Sequence, residues 1–441
     1  MVAPAQSGVS EESNPGLPLG WRRPRPLGLG FSRLPSTTPA AAPTADRIDY
    51  SGDAHLLTVA PTGAGKGRGV AVPTLLTYHG PAVVFDPKGE LYPITARRRR
   101  ELGQKVYCLD PFGLVGESSD VLNPLDLFAL PGADLDSDAQ MLANLLSIGN
   151  RGVKDPFWDL NGCGLHSGVI GHLAKLHPTD PQGFARVCQL LMSDDVTYNL
   201  AVLLDTVGKQ MPPMAYREIA SFLQLSERDT RPGVLATAQS YIKPLHGERV
   251  TRTLDQSTIP LDGIVRGDPM TVYIVIPPDK LDSHKGLLKL WVGTLLKAVT
   301  SRRQIPAMRT LFLLDEIAQI GHFPLLETVI TLCRGYGVQC WTFWQDLAQL
   351  QGLYPTAWRT ILNNSGVVQV FGMNNLKMAS DWAEYLPYPA EHLLSLGRNE
   401  QVLLLQGEEA VTAGQLDYLR DPAFIGMADP NPFFAGLGRG R

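Results

Sequence analysis

The chain has 441 residues, 44 % of them hydrophobic and 19 % charged, and its 39 basic and 43 acidic side chains leave a formal charge of −4. That size and balance exclude a small disulfide scaffold, a disordered chain and a multispanning membrane protein, and no stretch approaches the ~18 consecutive apolar residues of a membrane-crossing helix. No global basic field exists, so contact with nucleic acid must be local.

Residues 1–47 are rich in proline, alanine and serine and lack apolar periodicity, so they are expected to form an extended arm, with Trp21, Arg22, Arg23 and Arg25 in a tail. No basic, apolar and small-residue succession marks a secretory signal. Apolar runs at His55–Ala60, Ala82–Asp86 and Val106–Asp110 are separated by helix-length segments, the pattern of parallel βαβ units. Arg97, Arg98, Arg99 and Arg100 point in different directions on a helix, which predicts a solvated surface. Residues 137–262 have helical spacing and few strand candidates. Strand-like runs resume at Thr271–Ile276, Thr310–Asp315, Val338–Phe343, Val367–Phe371 and Val402–Leu405. The expected fold is α/β: one mostly parallel sheet from 48–136 and 263–435, interrupted by an all-α inserted domain at 137–262 and followed by a tail at 436–441. Five scattered cysteines without a C-x-x-C pair argue against a zinc site or disulfide framework and fit a reducing cytoplasm.

The strongest chemical signal is Ala60-Pro61-Thr62-Gly63-Ala64-Gly65-Lys66-Gly67, between a strand and a helix. Backbone N–H groups of such a turn point at a β-phosphate, and Lys66 reaches the β/γ oxygens. Ala60 stands where the strict motif has its first glycine. Gly67 stands where a hydroxyl would ligate Mg²⁺. A second signal is the apolar run ending in Asp315-Glu316, because ligands of open α/β sheets sit at the carboxyl ends of strands. Asp315 is expected to hold Mg²⁺, and Glu316 to polarise the water that attacks the γ-phosphorus. Arg334 before one strand and Gln345 after it suit a γ-phosphate sensing pair.

With these motifs in this order the sequence resembles the type IV secretion coupling proteins, the TraG-like conjugative DNA-transfer ATPases. The likeness extends through Phe85-Asp86-Pro87-Lys88-Gly89-Glu90-Leu91-Tyr92, Asp110-Pro111, Asn123-Pro124-Leu125, Phe157-Trp158 and Arg334-Gly335-Tyr336-Gly337, and glycine after the loop lysine is itself a trait of that family. The resemblance implies a RecA-like P-loop nucleotide-binding domain with a helical insertion, using ATP and Mg²⁺. It implies a homo-hexameric ring with ATP between subunits, so that Arg334 acts on a neighbour's nucleotide, and it places Asp86 and Lys88 beside the nucleotide. Implied partners are DNA, single-stranded and carried with a relaxase, and type IV secretion channel components at the inner membrane. Typical members begin with membrane helices, whereas this chain begins with the proline-rich arm, so the expected location is cytoplasmic and peripheral to the membrane through partners. Competing readings are an FtsK-like double-strand DNA translocase, a protein-effector pump and a nucleotide-binding recruitment adaptor with little hydrolysis.

Overall fold

The computed structural model describes residues 16–22, 46–147, 155–177, 179–180 and 182–434. Among them, eleven strands form one sheet. They are β1 (Leu17–Arg22), β2 (Arg47–Tyr50), β3 (His55–Val59), β4 (Ala82–Phe85), β5 (Lys105–Leu109), β6 (Met270–Ile274), β7 (Thr310–Leu314), β8 (Val338–Trp344), β9 (Ser365–Phe371), β10 (Glu400–Leu405) and β11 (Val411–Gly414). The order across the sheet is β2-β1-β11-β10-β9-β3-β8-β7-β4-β6-β5. From β9 to β5 all neighbours are parallel. The other edge, β10 to β2, is antiparallel.

The parallel strands read as unbroken apolar runs because both of their faces are covered. Helix α1 (Val72–Thr77), entered through a π-type turn at Gly67–Ala71, and helix α2 (Leu91–Glu101) share one core with Leu56, Val84, Leu313 and Phe343. Their alternates Leu57, Val83, Phe312 and Trp344 face the opposite core. That second core runs without a break into the region between β5 and β6, where the described residues form helices and turns and no strand.

The longest helices there are α3 (Leu135–Leu146), α4 (Phe157–Leu176), α5 (Ala185–Leu191), α6 (Val196–Val207), α7 (Pro213–Gln224) and α8 (Arg231–Ile242). Helix α4 packs against α3, α7 and α8 and is buried on most sides, which matches its lack of a polar stripe. Local starts are fixed by caps: Asp134 accepts from Ser137 N at 2.8 Å and Asp195 from Tyr198 N at 2.9 Å. All five cysteines are free and buried. No helix of the described residues is long and apolar enough to cross a membrane.

Two expectations fail in part here. The extended arm over 1–47 is wrong at 17–22, which form β1, a strand inserted between β2 and β11. Its pattern is obscured by Pro18 and Gly20, which sit at a register shift in the pairing with β2. Gly20 is required by close approach, since a Cβ there would lie 2.3 Å from Gln401 Nε2. The remainder of that arm, 1–15 and 23–45, and the tail at 436–441 lie outside the described residues.

The arginine run is a solvated surface only in part: Arg100 is exposed and Arg97 and Arg98 are half-buried, whereas Arg99 points inward. Arg99 is fully buried, donating to Thr271 Oγ1 at 2.9 Å, to Gly80 O at 2.6 Å and to Tyr78 O. Arg98 donates to Leu76 O at 3.2 Å and Arg97 to Asp429 Oδ1 at 2.7 Å. The carbonyls at the end of α1 and in the turn before β4 have few helical donors, and the Arg98 and Arg99 guanidinium groups supply them.

A buried polar line crosses the sheet from β8 to β1. Trp341 Nε1 donates to Thr58 Oγ1 at 2.8 Å, and Thr58 Oγ1 donates to Gln369 Oε1 at 2.8 Å. Gln369 Nε2 donates to Gln401 Oε1, and Gln401 Nε2 to Leu19 O at 2.7 Å. Gln369→Leu strips the Thr58 hydroxyl of its acceptor and Gln401 Oε1 of its donor. We expect a loss of about 1–3 kcal/mol of unfolding free energy. Urea titration reads this as a lower midpoint, and an unchanged midpoint would show that the line carries no net stability.

Candidate active site

The loop leaves β3 at the carboxyl edge of the sheet, where Ala60 N is fixed to Trp344 O at 3.0 Å. Gly63 and Gly65 have φ of 82° and 102°, left-handed values that side chains resist, and they curl the loop over the helix start. Lys66 is buried, and its Nζ donates to Ala60 O at 2.6 Å. Burial pushes its pKa down, while Glu316 and Asp315 pull it back up. Lys66 Nζ lies 4.0 Å from Glu316 Oε1.

The two carboxylates follow β7. In a continuing strand they would face opposite ways, yet both line the same cavity. The cause is local. Glu316 has φ 49°, the one positive value at a non-glycine among the described residues, a conformation that costs on the order of 1 kcal/mol. Asp315 Oδ1 accepts from Glu316 N at 3.0 Å. Burial, and after it the charge of Glu316, push the Asp315 pKa up to about 6. From the end of β8, Gln345 Nε2 donates to Glu316 Oε2 at 2.7 Å, and Gln345 N is held by Gln349 Oε1 at 3.0 Å.

At the end of β4, Asp86 Oδ1 accepts from Glu90 N at 3.0 Å and Oδ2 from Tyr92 N at 2.9 Å. Both oxygens thus organise the turn into α2, and burial pushes the pKa of Asp86 up to about 7. Lys88, exposed beyond that turn, borders the same cavity as Lys66. This cavity, about 440 Å³, brings together Lys66, Asp86, Lys88, Asp315 and Glu316. A larger hollow of about 820 Å³ between Asp110, Arg249 and Arg252 lies at the β5 end and shares no wall with the loop.

Arg334 is elsewhere. It precedes β8, and its guanidinium pairs with Asp53, which also meets Arg309 at 3.3 Å. The seven residues of β8 separate it from the loop edge by roughly 20 Å. Within one chain it cannot reach the cavity.

One wall of the cavity has no counterpart among the residues expected from the sequence. Tyr418, Leu419 and Asn431 line it, and Asp417 Oδ1 accepts from Arg68 Nε at 2.6 Å, immediately after the loop. No motif or periodicity marks these residues.

The chain matches the family described as type IV secretory system conjugative DNA transfer over residues 42–388. It is 28 % identical over 321 residues to the conjugal transfer protein TraG of Escherichia coli, covering 69 % of this chain and 50 % of TraG. It is 30 % identical over 336 residues to protein VirD4 of Rhizobium rhizogenes, covering 72 % of this chain and 46 % of VirD4. The chain therefore spans about half the length of these relatives. The bacterial conjugative coupling protein TrwB, in an unbound form, has the same fold at TM-score 0.65 and 16 % identity, over 82 % of this chain and 86 % of TrwB. TrwB in complex with ADP and Mg²⁺ superposes at TM-score 0.63 and 15 % identity, over 84 % of this chain and 88 % of TrwB. The match covers most of the chain, including the loop, both carboxylates and Gln345, and so this protein belongs to the type IV secretory system conjugative DNA transfer family.

Proposed function

We propose that the protein is an ATP-hydrolysing coupling protein that drives DNA, or a relaxase–DNA complex, into a type IV secretion channel as a hexameric ring. The observation that carries this reading is the meeting of Lys66 and Glu316 at the carboxyl edge of the sheet, in a cavity lined by the glycine-rich loop, with Gln345 bonded to Glu316 from behind the lining. The loop N–H groups and Lys66 bind the β- and γ-phosphates. Glu316 accepts a proton from water as the water oxygen attacks the γ-phosphorus and the bond to the β,γ-bridging oxygen breaks, leaving ADP and phosphate. Gln345, bonded to Glu316, senses whether the γ-phosphate is present. Lys88 adds positive charge at the rim, and Asp86 sets the turn that presents it.

The residues fit Mg²⁺ in a limited way. Among the described residues no cluster of three or more His, Cys, Asp and Glu side chains forms a cage, and Gly67 has no hydroxyl. Asp315 is a carboxylate whose proton affinity is raised by burial and, after it, by the charge of Glu316, an arrangement that a cation relieves. Asp315 would hold the ion, with water and phosphate oxygens completing its shell. When bound, Mg²⁺ neutralises charge on the phosphates.

Phosphate release by the purified full chain, measured without DNA and with single- or double-stranded DNA, tests this reading. We expect turnover that single strands stimulate and that Lys66→Ala lowers on the order of 10²–10³-fold. Stimulation only by double strands would favour a duplex translocase, and indifference to both a protein cargo. A wild type no faster than Lys66→Ala would leave only the recruitment adaptor.

A further inference from the structure

Tyr418, Leu419 and Asn431 of the cavity lining belong to a segment, 417–431, beyond the 42–388 range of the family match. This segment is tied down at three points. Asp417 forms a two-pronged pair with Arg68. Asp421 Oδ2 accepts from Asp417 N and from Trp21 Nε1, each at 2.8 Å, which links the segment to β1. Asp429 N donates to Ile94 O at 2.9 Å, while Asp429 Oδ1 accepts from Arg97 Nε at 2.7 Å. The first and last of these anchors sit on the turn that follows the loop and on α2, so the segment and the loop form one mechanical unit.

The cavity lining is of two kinds. Charged side chains, Lys66, Lys88, Glu90 and Asp315 among them, stand beside Val72, Leu91, Ile94 and Tyr418, which share one apolar cluster, and beside the exposed Leu419. The charged set suits phosphates, and the apolar set includes an aromatic ring. That pairing of chemistries matches a nucleoside phosphate, whose heterocycle wants flat apolar contact and a few polar partners at its edge. We propose that residues 417–431 form the nucleoside half of the site, with Tyr418 and Leu419 against the base and the Asn431 amide at its polar edge. The inference rests on the nucleotide reading above and extends it to residues that no phosphate chemistry requires. Arg68 then has a second purpose: its pair with Asp417 keeps the base contacts in register with the loop.

The test compares two probes, ADP and inorganic tripolyphosphate, by equilibrium binding to the full chain. Leu419 is 62 % exposed, so Leu419→Ser leaves the fold intact even where Tyr418→Ala does not. Both variants are expected to weaken ADP on the order of 10-fold, as lost base contacts do, with tripolyphosphate affinity unchanged. Tyr418→Phe keeps the ring and is expected to bind ADP like wild type. Unchanged ADP affinity in Leu419→Ser and Tyr418→Ala overturns the proposal, as does an equal loss of both probes. Wild type that binds neither probe overturns the nucleotide reading and this proposal with it, whereas wild type that binds both alongside unaffected variants overturns this proposal alone.

Discussion

Replacing Glu316 by Gln is expected to leave ADP binding within a few-fold of wild type and to lower the rate of phosphate release on the order of 10²–10⁴-fold, the usual worth of a positioned general base. The substitution keeps the shape of the side chain. A glutamine at this position still fits the left-handed backbone and still offers an oxygen to Gln345, whose amide donates at 2.7 Å in the wild type. What it removes is the proton acceptor, together with the negative charge 4.0 Å from Lys66 Nζ. Since Glu316 raises the pKa of Lys66 against the effect of burial, the lysine in the variant is more easily neutralised. A titration of ADP affinity against pH therefore separates the two effects. Loss of turnover with normal affinity at neutral pH assigns the proton transfer to Glu316. Turnover within about threefold of wild type would remove Glu316 from the mechanism.

Arg334→Ala is expected to lower turnover on the order of 10³–10⁵-fold, the range for a cation supplied to a phosphoryl-transfer transition state from a neighbouring molecule. A single chain retains full ADP affinity in this variant, because Arg334 lies at the amino-terminal ends of the parallel strands and the loop at their carboxyl ends. The decisive measurement mixes Arg334→Ala with Lys66→Ala. Each is inactive alone, yet in a mixed ring an Arg334→Ala subunit offers an intact loop to the intact arginine of a Lys66→Ala subunit. Partial recovery of phosphate release on mixing supports action in trans. Absence of recovery, with both variants assembling normally, would leave Arg334 as a structural partner of Asp53.

Much of the site is legible in the amino-acid sequence. The loop, Asp315-Glu316 and Gln345 follow apolar runs, and chain order alone puts the ends of parallel strands at one edge. Runs that are buried on both faces, such as Leu311–Leu314, announce themselves without alternation. Asp86 is legible only in part, because the motif locates it, while its two backbone hydrogen bonds, which make it an organiser of the α2 turn, belong to three-dimensional geometry. The arginine run misleads for a related reason. Charge in sequence suggests solvent, yet Arg99 lies where unpaired carbonyls of α1 and the following turn need donors. Strand β1 escapes because Pro18 and Gly20 punctuate it as they would a loop, and only the partner strands β2 and β11 show that a register shift accommodates them.

The sequence by itself therefore determined the α/β class, the glycine-rich loop between strand and helix and the acidic strand end, since each is a local pattern that depends on neighbours a few residues away. Tertiary structure alone decided that Glu316 turns into the left-handed region to face Lys66, that Arg334 stands a strand's length from the loop, and that residues 417–431 close the cavity. These depend on contacts between distant segments, in the case of Trp21 and Asp421 between residues 400 positions apart. Such contacts are fixed by packing and by the pairing of buried polar groups, and neither leaves a period in the chain.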